Sequence, residues 1–96
     1  MLVLVTYDVN VEQTSGQKRL RSVAKLCERY GIRVQNSVFE VLVDAAQLTC
    51  LKHELNKIID PELDSIRIYR LGNSYKGKID TLGKSVRIQA GEPILL

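Results

Sequence analysis

The chain has 96 residues, 45% of them hydrophobic and 26% charged, with a net charge of +3. Such a length and balance fit one globular domain and exclude a disordered chain or two independent cores. No apolar run approaches the roughly 20 residues that span a bilayer, and the apolar start (residues 1–5) lacks the basic leader of a secretory signal. Residues 2–9 are nearly continuously apolar, as in a central strand, and the run closes on Thr6, Tyr7 and Asp8.

Polar residues follow, and Thr14 with Gln17 makes a capping-box signature for a first helix. Leu20, Val23, Ala24 and Cys27 recur at helical spacing and predict its buried face. Lys18, Arg21, Lys25 and Arg29 recur on another face as a basic stripe. Gly31 is expected to end the helix in a left-handed conformation. Residues 32–43 read as extended, either one bent strand or two strands broken near Gln35-Asn36-Ser37. Phe39, Val41 and Val43 alternate with Val38, Glu40 and Leu42 on opposite faces. Asp44 and Gln47 form a second capping pair, and Leu48, Leu51, Leu55 and Ile58 line a second helix that must stop before Pro61. Residues 65–71 predict another strand, and a basic, glycine-bearing connection leads to a short strand over residues 86–89.

The order β-α-β-β-α-β predicts an α+β, ferredoxin-like sandwich: two helices on one face of an antiparallel sheet. An extra strand and tail, residues 84–96, ends on apolar Ile94, Leu95 and Leu96 and is expected to dock on something. Cys27 and Cys50 fall at core-compatible positions of separate helices and are expected to be reduced thiols of a cytoplasmic protein. With His53 alone and no CxxC pair, a zinc site cannot be assembled. His53 itself is expected to face solvent.

Charge is uneven along the chain. Residues 14–33 carry Lys18, Arg19, Arg21, Lys25, Arg29 and Arg33 against Glu28, a local +5; residues 65–89 carry another +5, and residues 40–64 are acidic. Two basic regions around an acidic segment suit a polyanion such as nucleic acid, although a basic helix face is also simply well solvated. Asp8, at the end of an apolar strand before the basic helix, could hold Mg²⁺ through hard oxygen atoms, or could merely cap a turn. One carboxylate is few for a phosphodiesterase site, but a two-fold axis near the strand end would pair Asp8 with Asp8 of a second copy. Arg33 could grip a phosphate and Phe39 could stack on a base; an ion pair and core packing are the plainer alternatives.

Four stretches resemble one family. Leu4-Val5-Thr6-Tyr7-Asp8-Val9, Lys18-Arg19-Leu20-Arg21, the segment from Gly31 through Arg33, Gln35, Ser37 and Phe39 to Glu40, and Ser65 through Gly72 are similar to the small CRISPR-associated endonucleases of spacer acquisition, the Cas-two family. The resemblance implies a homodimer in which the last strand of each chain joins its partner's sheet. It further implies a Mg²⁺-dependent nuclease acting on double-stranded DNA or single-stranded RNA, and a partner in the CRISPR integrase. Asp8 matches the family's metal-binding aspartate; Arg19, Arg33 and Phe39 match positions tied to nuclease function. Lys18, Arg19, Arg21, Lys25 and Arg33 are the expected nucleic-acid contacts. The rival expectation is a non-catalytic DNA-binding scaffold between two integrase dimers. A small-molecule or acylphosphatase-like ferredoxin domain is the third, and the basic stripe argues against it.

Overall fold

In the computed structural model, which describes residues 1–84, the opening apolar run is a central strand, β1 (Leu2–Asp8). Val3, Val5 and Tyr7 of β1 are buried on the face that the helices cover. The first helix, α1 (Thr14–Glu28), buries Val23, Ala24, Leu26 and Cys27. Leu20 packs against the same cluster while remaining partly exposed. The extended segment resolves into two strands, β2 (Gly31–Gln35) and β3 (Val38–Leu42), joined through Asn36 and Ser37. The second helix, α2 (Ala45–Ile58), buries Leu48, Leu51 and Leu55. It stops before Pro61, and β4 (Ser65–Gly72) follows, with a short 3₁₀ turn at Lys76–Lys78.

The sheet runs β2-β3-β1-β4, and every neighbouring pair is antiparallel. Each β-α-β unit therefore skips over one strand of the other unit, the interleaving of the expected ferredoxin-like sandwich. Alternation does the sorting. Phe39 and Val41 stand opposite Val5 and Val3 on the core face, and Ile68 and Ile66 of β4 stand opposite Val5 and Tyr7. Phe39, Leu51, Val3, Val5, Val23, Val41 and Cys27 are fully enclosed. The other face, carrying Ile32, Leu4, Val38, Leu42 and Tyr69, is only half covered among the described residues.

Three local expectations need correction. The capping box at Asp44 and Gln47 forms as expected: Gln47 N–H donates to Asp44 Oδ1 at 2.7 Å, and Asp44 N–H donates to Gln47 Oε1 at 2.9 Å. No such box forms at Thr14, which already lies inside α1; Gln13 is the cap, without a side-chain hydrogen bond. Gly31 does not end α1 in a left-handed turn, because α1 closes at Arg29 and Gly31 opens β2. A glycine is needed there for closeness, since a Cβ would fall 1.9 Å from the Glu40 carbonyl oxygen. Cys27 is buried as expected, but Cys50 is exposed, and both are free thiols. Cys50 lies two residues after Leu48, about 200° around the helix and so on the side facing away from the sheet. Burial pushes the Cys27 thiol up to about 12, which keeps it an unreactive core group.

His53 faces solvent as expected. The strand expected over residues 86–89, the apolar end at residues 94–96 and the exchanged tail lie outside the described residues. Among those described, no helix is long and apolar enough to cross a membrane.

Gly16 gives the first prediction. Alanine is normally the better helix former by about 1 kcal/mol, but a Cβ on Gly16 would stand 1.8 Å from the Asn10 carbonyl oxygen and 3.0 Å from the Val11 Cα. Both obstacles are backbone, which cannot swing aside as a side chain end would. Gly16→Ala should therefore lower stability by about 1–3 kcal/mol, the usual cost of overpacking, as read from urea denaturation midpoints at unchanged slope.

Candidate functional site

The strand-end rim of the sheet collects the sequence motifs. Asp8 is the last residue of β1 and stands opposite Ser65, the first residue of β4. Its neighbour Tyr7 ties in the β2–β3 turn twice: the Tyr7 N–H donates to the Ser37 carbonyl at 3.0 Å and its hydroxyl to the Asn36 carbonyl at 3.2 Å. The Tyr7 and Phe39 rings stack with centroids 6.1 Å apart. The Tyr-Asp pair and the Asn-Ser-Val-Phe stretch, 29 residues apart at Tyr7 and Asn36, thus share one corner. Burial raises the pKa of Tyr7 against the opposing pull of Arg33, so its phenol is a donor and not a base at neutral pH.

Asp8 is exposed, and among the described residues its carboxylate takes no hydrogen bond. It is not a turn cap. A solvated carboxylate whose lone pairs are uncommitted suits a hard cation such as Mg²⁺, which keeps several of its waters. Among the described residues no group of three or more His, Cys, Asp or Glu side chains converges to hold a metal. Of Asp8 and the nearby Asp64, only Asp8 has a carboxylate free of hydrogen bonds among the described residues.

Arg33 projects from β2 with its side chain 44% exposed. Its guanidinium lies 5.2 Å from the centre of the Phe39 ring, and Nη2 is 3.9 Å from Glu28 Oε1. That ion pair is long and solvated, so it holds Arg33 weakly. Phe39 cannot stack on a base, because it is fully enclosed between β1 and the helices. Its ring lies beneath the Arg33 guanidinium from within the core. Lys18, Arg21 and Lys25 are all exposed on the outer face of α1, and no described carboxylate lies within ion-pair distance of any of them.

Arg19 differs from its basic neighbours. Its Nε donates to Asp64 Oδ2 at 2.7 Å and Nη2 to Asp64 Oδ1 at 3.2 Å, a two-pronged ion pair with side chains 16% and 0% exposed. The guanidinium also reaches the Asn10 carbonyl and Ser15 Oγ, each at 3.4 Å. It is committed to the protein and does not join the stripe with Lys18 and Arg21. Sequence reasoning missed Asp64, which looked like one more acid in the acidic middle of the chain. A carboxylate directly before an apolar strand was the available signal, too common to stand alone.

Similarity to known proteins extends along nearly the whole chain. The family model for CRISPR associated protein Cas2 matches residues 1–79. A protein from Halalkalibacterium halodurans named CRISPR-associated endonuclease Cas2 is 57% identical over 99% of both chains. One from Rhodospirillum rubrum named CRISPR-associated endoribonuclease Cas2 3 is 50% identical over 99% of this chain and 100% of its own. The crystal structure of Streptococcus pyogenes Cas2 at pH 6.5 superposes with a TM-score of 0.77 at 58% identity, covering 86% of this chain and 100% of the other.

The Asp64 carboxyl is held below its ordinary value, first by the Arg19 hydrogen bond and then by backbone N–H groups of Asp60 and Asn10. A depressed folded value means the charged form stabilises the fold above the unfolded carboxylate value of about 3.9. That contribution is lost as the pH falls through the folded value. Below about pH 4 the melting temperature of the native chain should therefore fall more steeply than that of Asp64→Asn. Thermal melts from pH 7 to pH 2 check this; parallel acid limbs would contradict it.

Proposed function

Since this chain belongs to the CRISPR-associated Cas2 family, we propose that it is an endonuclease of CRISPR spacer acquisition, cleaving phosphodiester bonds as a homodimer with Asp8 at its centre. The observation that carries this reading is the contrast between two carboxylates at one rim. Asp64 is enclosed and saturated by donors, whereas Asp8, opposite the next residue Ser65, is exposed and uncommitted. A carboxylate left free beside a fixed framework is suited to binding something else.

Mg²⁺ held at Asp8 would supply a concentrated positive charge that activates or positions a water. The chain's own residues do the rest. Asp8 gives the hard oxygen ligands. Arg33, backed by Phe39, offers an exposed guanidinium to a phosphate near the rim. Lys18, Arg21 and Lys25 hold the polyanion backbone without reading its sequence. The relatives' names divide between endonuclease and endoribonuclease, and a phosphate-gripping stripe serves double-stranded DNA and single-stranded RNA alike.

Two features support assembly with a second copy. The outer edge of β4 has no strand partner among the described residues, and the half-covered sheet face exposes Leu42 and Tyr69 at 41% each. An open edge beside an apolar face calls for cover. Asp8 of a second copy, brought near a two-fold axis, would complete a site that one chain leaves at a single carboxylate. The alternative is a non-catalytic DNA-binding scaffold between two dimers of the CRISPR integrase. It is favoured by the enclosure of Phe39 and the commitment of Arg19, which leave only Asp8 and Arg33 of the four expected catalytic residues open to a substrate.

Asp8→Asn separates the two readings, because it keeps the shape and removes the charge. The variant should remain a folded dimer that binds duplex DNA, while Mg²⁺-dependent cleavage falls ~100-fold or more, a usual cost of deleting an electrostatic catalytic group. Cleavage at the wild-type rate by the purified variant would remove Asp8 from catalysis. Native protein that binds DNA but never cleaves it, with Mg²⁺ or Mn²⁺ across the pH range, would decide for the scaffold.

The stripe makes a second test. Replacing Lys18, Arg21 and Lys25 together by Ala should weaken duplex binding equally for unrelated sequences. It should also reduce the slope of log affinity against log salt by about 0.9 per lost phosphate contact. Fluorescence anisotropy titrations between low and moderate salt measure both effects. An unaltered slope would show a face that is only solvated.

A further inference from the structure

Asp64 has no catalytic part in the function just described, yet its side chain makes four hydrogen bonds, a number matched among the described residues only by its partner Arg19. Four N–H groups converge on its two oxygens: Asn10 N at 3.0 Å, Arg19 Nη2 at 3.2 Å, Arg19 Nε at 2.7 Å and Asp60 N at 2.9 Å. A carboxylate has about four lone-pair sites, so it is saturated. The donors come from three different places, namely the β1–α1 connection, α1 itself and the α2–β4 connection. The ring of bonds closes on Asn10, whose N–H is held by Asp64 and whose carbonyl is held by Arg19 at 3.4 Å.

Asn10 stands two residues after Asp8. The connection it belongs to has little apolar hold: Val9 is buried, but Val11 is 43% exposed and Glu12 and Gln13 are exposed. The polar ring is therefore what fixes the chain as it leaves β1. We infer that Asp64 and Arg19 form a clasp that positions Asp8, and that Arg19 serves the reaction through Asp64 instead of touching the phosphate. Both are positioning residues. The inference deepens the nuclease reading and depends on it only for the activity measurement below.

The full-length homodimer with Asp64→Asn, Arg19→Met, Arg19→Lys and the Asp64→Asn/Arg19→Met double change tests the clasp by three readouts. Amide hydrogen exchange of metal-free protein should show residues 9 and 10 opening ~10-fold faster or more, with Val41 and Leu51 protected as in the native chain. The salt dependence of duplex binding should be unaltered in every variant, whereas a phosphate-contacting Arg19 would lower its slope by about 0.9 on conversion to Met. With Mg²⁺, kcat on duplex DNA should fall ~10- to 100-fold at nearly constant KM, as expected when a reacting group is displaced by about 1 Å. The double change should be no worse than the worse single change, since both break one unit. Arg19→Lys keeps the charge without the fork and should fall between the native chain and Arg19→Met. A lowered salt slope with Asp64→Asn behaving as native would overturn the clasp and make Arg19 a phosphate contact. Loss of protection at Val41 and Leu51 in all variants would also overturn it, by making the pair a support of the whole fold. If the native protein does not cleave at all, the nuclease reading fails while exchange and salt slope still decide the clasp.

Discussion

Removing a carboxylate from water costs several kcal/mol unless other donors replace the lost hydration. At Asp64 they do so completely, and the donors are drawn from three stretches of chain that share no secondary structure. The core beneath, from Val3 to Leu55, would hold the sheet and helices together by apolar contact alone. Apolar contact does not specify how the connections at one rim lie, because the β1–α1 stretch buries little more than Val9. A saturated charge does specify it, since each bond demands a direction as well as a distance. The order of that rim therefore depends on one ion pair spanning 45 residues.

This arrangement divides the basic residues of α1 by function, although sequence places them side by side. Lys18, Arg21 and Lys25 point to solvent, where a positive charge attracts a polyanion at long range and grips it at short range. Arg19, one residue after Lys18, turns inward and uses the fork of its guanidinium on Asp64 and Asn10. A lysine could supply the charge but not the two parallel bonds. Arg33 occupies an intermediate place. Its ring contact with the enclosed Phe39 limits its motion while 44% of its side chain stays accessible. Under the nuclease reading, substitutions at Arg19 and Phe39 would therefore act on the site from behind it, since only Asp8 and Arg33 among the family-matched positions are open to a substrate.

Much of the fold was legible in the sequence because burial on one face leaves a period. The twofold alternation of Phe39, Val41 and Val43 and the helical spacing of Leu48, Leu51 and Leu55 name their elements directly, and both sets are buried. The Asp44–Gln47 box was legible because both of its bonds are local. The matching signature at Thr14 and Gln17 misled, because the start of α1 is set by tertiary contact. Gly16 lets the Asn10 carbonyl approach closely, and Arg19 pins that same carbonyl. Gly31 misled for a similar reason: the sequence announces a glycine without saying whether a turn or a near neighbour requires it. Cys50 was expected at a core-compatible position of its helix, but it lies on the face turned outward and is exposed. The site was half legible. Asp8 and the stripe follow from position along a strand and a helix, but Asp64 gains its meaning from Arg19, and no spacing rule connects residues that meet only after the chain has folded.

The basic face beside the rim is free, and among the described residues Asp8 joins no group of three or more potential metal ligands. Under the nuclease reading the missing part is supplied by symmetry, so binding of a cation at Asp8 and association of two chains are one linked equilibrium. Two like charges near an axis oppose association until a cation lies between them, and by reciprocity the cation is held more tightly by two chains than by one. Under the scaffold reading the same axis doubles the basic stripe and lengthens the track for a polyanion, and Asp8 contributes only repulsion. The two readings thus assign opposite signs to one carboxylate in the energetics of assembly. That difference appears when a cation is added: without one Asp8 opposes association under both readings, and with one it favours association under the nuclease reading alone, so no cleaved product is needed to see it.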